Sequence, residues 1–198
     1  MTLEIFINKF VGLGTFVIHI ILGLMLISFI YHKITKKRLP KFGSNLKNFL
    51  IENGILFAFV LTLGATIASL VYSEIIGYPA CDLCWYQRAL IYPQVIILGV
   101  ALLKKNKAIF DYVIGLNILG ILIGGYQYYF QITGYTGPCP VSGSVNCFTS
   151  SVLEFGYITI PLMSLTVFVT VIVLTWMAKN KPLGKVSKEN IKHAENFI

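Results

Sequence analysis

The chain has 198 residues, 56% of them hydrophobic and only 12% charged, with a mean hydropathy of +0.77. That composition excludes a sizeable soluble domain, and the formal charge of +8 does not point to nucleic acid, because the basic residues cluster beside apolar runs. Apolar runs of near-spanning length recur five times, and about 20 residues cross the hydrocarbon as a helix, so an all-α integral membrane protein is expected.

The first run, residues 10–31, holds His19 and no Asp, Glu, Lys or Arg. It is too long for a signal peptide and lacks a small-residue cleavage site, so it reads as a retained spanning helix. His19 reads as a structural residue that hydrogen-bonds a neighbouring helix. Residues 32–52 carry Lys33, Lys36, Lys37, Arg38, Lys41 and Lys47, the mark of a cytoplasmic segment. Pro40 and Gly43 are expected to interrupt any helix there, leaving 44–49 as a short amphipathic piece along the interface.

The second helix is expected over 54–72, with Gly64, Ala65, Ala68 and Ser69 permitting close packing. Gly77-Tyr78-Pro79 predicts a turn directly before Cys81. The third helix, 83–103, starts after Asp82 as N-cap and runs to Lys104, Lys105 and Lys107. The fourth, 109–130, ends in Tyr126, Tyr128, Tyr129 and Phe130, which read as an interfacial aromatic belt. A loop rich in glycine and proline, 131–156, carries Cys139 and Cys147 and is expected to be mobile. The fifth helix, 157–177, takes Pro161 near its start and leads to a tail with Lys179, Lys181, Lys185, Lys188 and Lys192.

Fourteen of the sixteen Lys and Arg residues fall in the three segments assigned to the inside, leaving Lys9 and Arg88. The predicted topology is therefore N-terminus outside, C-terminus inside, with all four cysteines extracytoplasmic. That compartment is oxidising, so disulfides can form and exchange there.

Cys81-Asp82-Leu83-Cys84-Trp85-Tyr86-Gln87-Arg88 is the densest chemistry in the chain. Thiols two residues apart can close a small disulfide, and a thiol in the first turn of a helix feels the positive end of the dipole, which makes Cys84 the more reactive candidate. Arg88, four residues on, shares its face and can stabilise an anion or an electron-rich ring between them. A plain stabilising disulfide with an interfacial arginine is the simpler reading. Two pairs in two loops, one fixed at a helix start and one mobile, suggest a relay from a soluble protein to a lipid-soluble two-electron carrier. Zinc is the competing use of four cysteines, but a Cys-x7-Cys half fits it poorly and an oxidising compartment opposes persistent thiolates. Covalent haem is disfavoured by Trp85, which stands where histidine is needed.

Ser73-Glu74-Ile75, the block 81–88 with Tyr92-Pro93, and Glu154-Phe155-Gly156-Tyr157-Ile158-Thr159-Ile160-Pro161 together resemble the DsbB/BdbC disulfide-bond formation proteins over roughly residues 54–177. The resemblance implies a four-helix membrane oxidase in the bacterial inner membrane that draws electrons from a DsbA-like thioredoxin-fold thiol oxidase. It passes them to the membrane pool of ubiquinone or menaquinone. By position, Cys84 is implied to lie beside the quinone with Arg88 holding the ring, Trp85 belongs to the same cofactor site, and Cys81 is the disulfide partner of Cys84. Cys139 is implied to form the mixed disulfide with the soluble partner, and Cys147 to resolve it and exchange with Cys81. Gln131 and Phe155-Gly156 also fall where the family has similar residues.

On this reading 1–52 is an extra N-terminal helix with a basic loop, 53–178 the four-helix unit and 179–198 a basic tail. Three features depart from the family pattern. The loop pair has only seven residues between its cysteines, Gln127 stands where some members have histidine, and helix 10–31 is extra. Two other readings compete. Vitamin K epoxide reductase-like enzymes join similar pairs but place the loop pair first, the reverse of the order here. A non-catalytic scaffold stapled by two disulfides predicts bonds that resist mild reduction.

Overall fold

A computed structural model describes residues 2–35, 41–104, 109–134, 147–148 and 152–179. Cys139, Pro40, Lys105, Lys107 and the tail lysines beyond Lys179 lie outside the described residues. Five helices make up the fold: α1 (Thr2–Thr35), α2 (Lys41–Leu70), α3 (Asp82–Lys104), α4 (Ile109–Ile132) and α5 (Ile160–Lys179). Each contains a segment long and apolar enough to cross a membrane. The chain is an all-α, multi-pass membrane protein.

The starts of α1 and α2 differ most from expectation. α1 begins eight residues earlier than predicted because Leu3, Ile5, Phe6 and Ile7 continue the apolar run. α2 starts directly after Pro40 and passes through Gly43, so 44–49 forms its first turns rather than a separate piece. A glycine inside a helix costs only about 1 kcal/mol, and the apolar residues that follow outweigh it.

α2, α3, α4 and α5 close a ring in which each helix packs on the next, and α5 packs back on α2; α1 leans on α5 from outside this ring. These helices are apolar on every side, so hydropathy does not distinguish the core face from the lipid face. Polar residues mark the inside instead. On α3 the buried stripe is Leu83, Gln87, Ile91, Gln94, Leu98 and Ala101. On α4 it is Phe110, Val113, Asn117, Gly120, Gly124 and Gln127, at alternating spacings of three and four. Buried threonines return their hydroxyl protons to their own helices, as Thr62 does to the Ala58 carbonyl (3.0 Å) and Thr175 to that of Val171 (2.6 Å). A central cluster of Ala58, Leu98, Val113, Val171 and Leu174 fills the ring. Gly120 sets the α4–α5 spacing, since a Cβ there would stand 2.4 Å from the Phe168 ring.

α2 ends in a π turn over Val71–Ile75, with the Ile76 amide bonded to the Val71 carbonyl at 3.0 Å. Gly77, at φ 82°, then reverses the chain, and Pro79 leads it extended into Cys81. Before α5, a tight turn joins Glu154 and Ile158 by reciprocal backbone bonds of 2.8 and 2.9 Å, with Phe155 and Gly156 both left-handed.

Candidate redox site

The Trp85 amide bonds the Cys81 carbonyl at 3.0 Å, so Cys81, not Asp82, holds the N-cap position and Asp82 is the first helical residue. Cys84 therefore lies in the first turn, where unpaired amides and the positive end of the dipole are concentrated. The Cys81 thiol donates to Cys84 Sγ at 3.3 Å. That hydrogen bond to Cys84, and then burial, push the Cys81 thiol up from its ordinary value, which keeps it the donor of the pair.

Cys147 is buried against the same pair. It lies within hydrogen-bond reach of Cys81 and packs with Leu83 and Phe148. Phe148 anchors it, with its ring 5.2 Å from that of Phe130 and 6.4 Å from that of Tyr126. Part of the aromatic cluster expected as a belt thus holds 147–148 in place, while Tyr129 faces outward. Three of the four predicted cysteines meet here, and Cys139 is the one outside the described residues.

Two amides tie the site together. Gln127 Nε2 donates to the Cys147 carbonyl (3.0 Å) and lies 3.4 and 3.5 Å from Cys81 Sγ and Cys84 Sγ. Its Oε1 accepts from Gln87 Nε2 at 2.7 Å, and Gln87 Oε1 accepts from the Ser164 hydroxyl. In the sequence Gln127 stands out only as a departure from the family pattern, Gln87 only as a member of the block 81–88, and Ser164 not at all. The available signal was polar residues on otherwise apolar, helix-periodic stripes, which in a membrane face the protein interior.

Arg88 extends back over the Trp85 ring, 5.0 Å from its centroid, and donates to the Ser69 carbonyl at 3.2 Å. Tyr92 donates to the Ser69 hydroxyl at 3.3 Å, so both fix α3 against the last turns of α2. A cavity of about 920 Å³ opens beside them, bordered by α1, α2, α3 and α5 and by Gln127 and Cys147. Cys81, Cys84 and Arg88 stand on its wall, whereas Trp85 is not among the residues bordering it. Most of the wall is aliphatic. The Tyr72 hydroxyl and Gln131 Oε1, both on residues bordering the cavity, are buried and have no hydrogen-bond partner among the described residues. Among the described residues, no group of three or more His, Cys, Asp or Glu is arranged to hold a metal ion.

Residues 52–178 match the sequence model of the family described as disulfide bond formation protein DsbB. The chain is 36% identical over 135 residues to a disulfide bond formation protein C of Bacillus subtilis, covering 66% of this chain and 98% of that protein. It is 38% identical over 135 residues to the SPbeta prophage-derived disulfide bond formation protein B of the same species, covering 67% and 91%. A probable disulfide formation protein of Oceanobacillus iheyensis is 40% identical over 129 residues, covering 62% of this chain and 86% of its own length. No solved structure matches the chain. A family match over well more than half of the residues, together with relatives of this identity, makes the chain a member of the DsbB family, membrane oxidoreductases of disulfide bond formation.

Proposed function

We propose that this protein is a thiol:quinone oxidoreductase that reoxidises a soluble, DsbA-like thioredoxin-fold thiol oxidase and delivers the electrons to ubiquinone or menaquinone in the membrane. One observation carries this reading. Cys84 and Arg88 share the wall of an apolar cavity, and Cys81 and Cys147 meet at the same end of it.

The residues present fit a quinone. A guanidinium and the buried Tyr72 phenol suit ring oxygens, a thiol stands beside them, and the aliphatic wall suits a prenyl chain. A quinone bound there supplies a two-electron, two-proton sink. The protein's own residues do the rest. One thiolate of the reduced partner attacks Cys139 of the Cys139–Cys147 disulfide, giving a mixed disulfide and freeing Cys147 as a thiol; the partner's second thiol then displaces Cys139, releasing the partner oxidised and both loop cysteines reduced. The reduced Cys139/Cys147 pair is then reoxidised by exchange with the Cys81–Cys84 disulfide, leaving Cys81 and Cys84 as thiols. Two electrons thus move per partner disulfide formed. Gln127 holds the Cys147 backbone against the thiols so that the exchanging sulfurs are neighbours. Trp85 acts through Arg88, as a positioning residue.

The charge asymmetry supports an inner (cytoplasmic) membrane orientation with the N-terminus and the cysteine end outside and the C-terminus inside. It also fits a catalytic unit over 53–178 with 1–52 and 179–198 as additions. The test follows quinone absorbance with purified protein and a reduced thioredoxin-like thiol oxidase as donor. Reduction is expected to require the donor, to vanish in Cys84→Ser and to slow at least tenfold in Arg88→Ala, about the loss of one charge-assisted hydrogen bond. Reduction by Cys84→Ser at the parent rate, or none by the parent with either quinone, refutes the proposal.

A further inference from the structure

α1 lies outside the matched residues 52–178, and no step of the proposed electron path uses it. It is nonetheless held in register against the site. Two adjacent stripes divide its inward surface at spacings of four, three and four. The first, Asn8, Gly12, Thr15 and His19, docks the helix. Tyr78, three residues before Cys81, donates to Glu4 Oε1 at 2.6 Å, and Asn8 Nδ2 reaches the Tyr78 hydroxyl at 3.5 Å. Gly12 packs on Glu154, and Phe16 stacks on the left-handed Phe155 at 5.1 Å. Deeper along the helix, His19 Nε2 bonds Thr166 Oγ1 at 2.7 Å and Nδ1 bonds the Tyr157 hydroxyl at 3.3 Å. The Thr166 proton goes to the Leu162 carbonyl, so Nε2 donates and Nδ1 accepts.

The second stripe, Ile7, Val11, Gly14 and Ile18, borders the cavity. Leu61, Gly64, Ala65 and Ala68 of α2 border it too. A Cβ on Gly14 or on Gly64 would meet nothing within 4 Å. From Ile7 to Ile18 on one helix and from Leu61 to Val71 on the other, the slot runs roughly 15 Å along the helix axes. A ring held at Cys84 and Arg88 fills only one end. The remainder has the shape and chemistry of a site for a hydrocarbon chain.

We propose that α1 is the tail wall of the acceptor site: the isoprenoid chain of a prenylated quinone lies between α1 and α2, and the protein thereby selects tailed acceptors over bare rings. The proposal rests on the quinone reading above and extends it to residues outside the family match.

A prenylated quinone carrying a diazirine in its tail, photolysed with the full-length protein in nanodiscs, is expected to label Leu3–Tyr31, and unlabelled prenylated quinone should compete. Gly14→Leu and Gly64→Leu should each raise its Kd about tenfold, the loss of roughly two buried methylenes, while the Kd of a tail-less ring changes less than twofold. Ile27→Trp, on the outward face of α1, should change neither. Thermal unfolding of each variant checks that it is folded, and the labelling needs no variant. Competed label confined to α2–α5, with Gly14→Leu neutral, overturns the role of α1 and leaves the quinone reading standing. Label on α1 that quinone does not compete assigns the slot to lipid and also overturns it. No competed label anywhere, with neither glycine variant shifting Kd, overturns both.

Discussion

Two pairs of amides cross the α3–α4 interface, chemically alike and differently used. Gln94 and Asn117 meet in the dry centre, where Asn117 Nδ2 donates to Gln94 Oε1 at 2.8 Å. Their other donor contacts return to their own helices, to Leu90 O at 2.9 Å and Val113 O at 2.7 Å. Gln87 and Gln127 meet at 2.7 Å two to three turns away. Of their remaining contacts one returns to the Leu83 carbonyl of α3 at 3.3 Å, and the others go to Ser164 of α5, the Cys147 carbonyl and the Cys81 and Cys84 thiols. A buried amide clamps two helices when its capacity is spent on them. It becomes part of a site when that capacity reaches groups brought from elsewhere in the chain.

The largest effect is expected where both pairs depend on one spacing. Gly120 lies on the same α4 stripe between Asn117 and Gln127, and the Phe168 ring occupies the place of its Cβ. Gly120→Leu should cost about 3 kcal/mol or more through forced separation of α4 and α5, read as a lowered unfolding midpoint in detergent. A variant as stable as the parent would mean that the helices repack freely, and neither amide pair could then be credited with precise placement.

Single replacements separate the pairs. Gln127→Leu removes the bond to the Cys147 backbone and leaves Gln87 its Leu83 and Ser164 contacts. Turnover from reduced donor to quinone should fall about 10- to 100-fold, equivalent to roughly 1.5–3 kcal/mol of lost positioning, with little change in melting. Asn117→Leu should do the reverse, losing about 1–2 kcal/mol of stability because Gln94 Oε1 is left unpaired, with turnover within twofold. If the folded Asn117 variant is slowed as much as the Gln127 variant, the contrast between clamp and site is wrong.

Much of this was legible in the amino-acid order. Five spans, the Cys-x-x-Cys at a helix start and Arg88 one turn beyond depend on local composition and spacing, and the structure has all of them, with the starts of α1 and α2 eight and thirteen residues earlier than expected. Resemblance to the family suggested a meeting of Cys147 with Cys81, for which the spacing of the residues offered no argument. Three things were not legible. Gly43 and Pro40 read as a break, yet a helix tolerates glycine and begins readily after proline. The bridging roles of Gln87 and Ser164 are hidden because helices apolar on every side show no amphipathic stripe, so the inward face must be found from its rare polar residues. The docking of α1 depends on contacts between residues 70 to 147 positions apart, Glu4 with Tyr78 and His19 with Thr166, which no local pattern encodes.

The smallest effect should come from removing the central pair whole. Gln94→Leu/Asn117→Leu replaces both amides by side chains of similar size, so no polar atom is left stranded, and leucine fills the space without forcing the helices apart. The double variant should unfold within about 1 kcal/mol of the parent, recovering most of what Asn117→Leu loses, and it should keep full turnover. The same treatment of the other pair, Gln87→Leu/Gln127→Leu, should recover stability in the same way and recover no activity, because the missing partner there is the Cys147 carbonyl rather than the second amide. Unfolding midpoints and turnover measured on both double variants therefore assign each pair to one quantity. If activity returns with stability in the Gln87/Gln127 double variant, that pair is a clamp as well, and the placement of Cys147 must come from Phe148 and its aromatic neighbours alone.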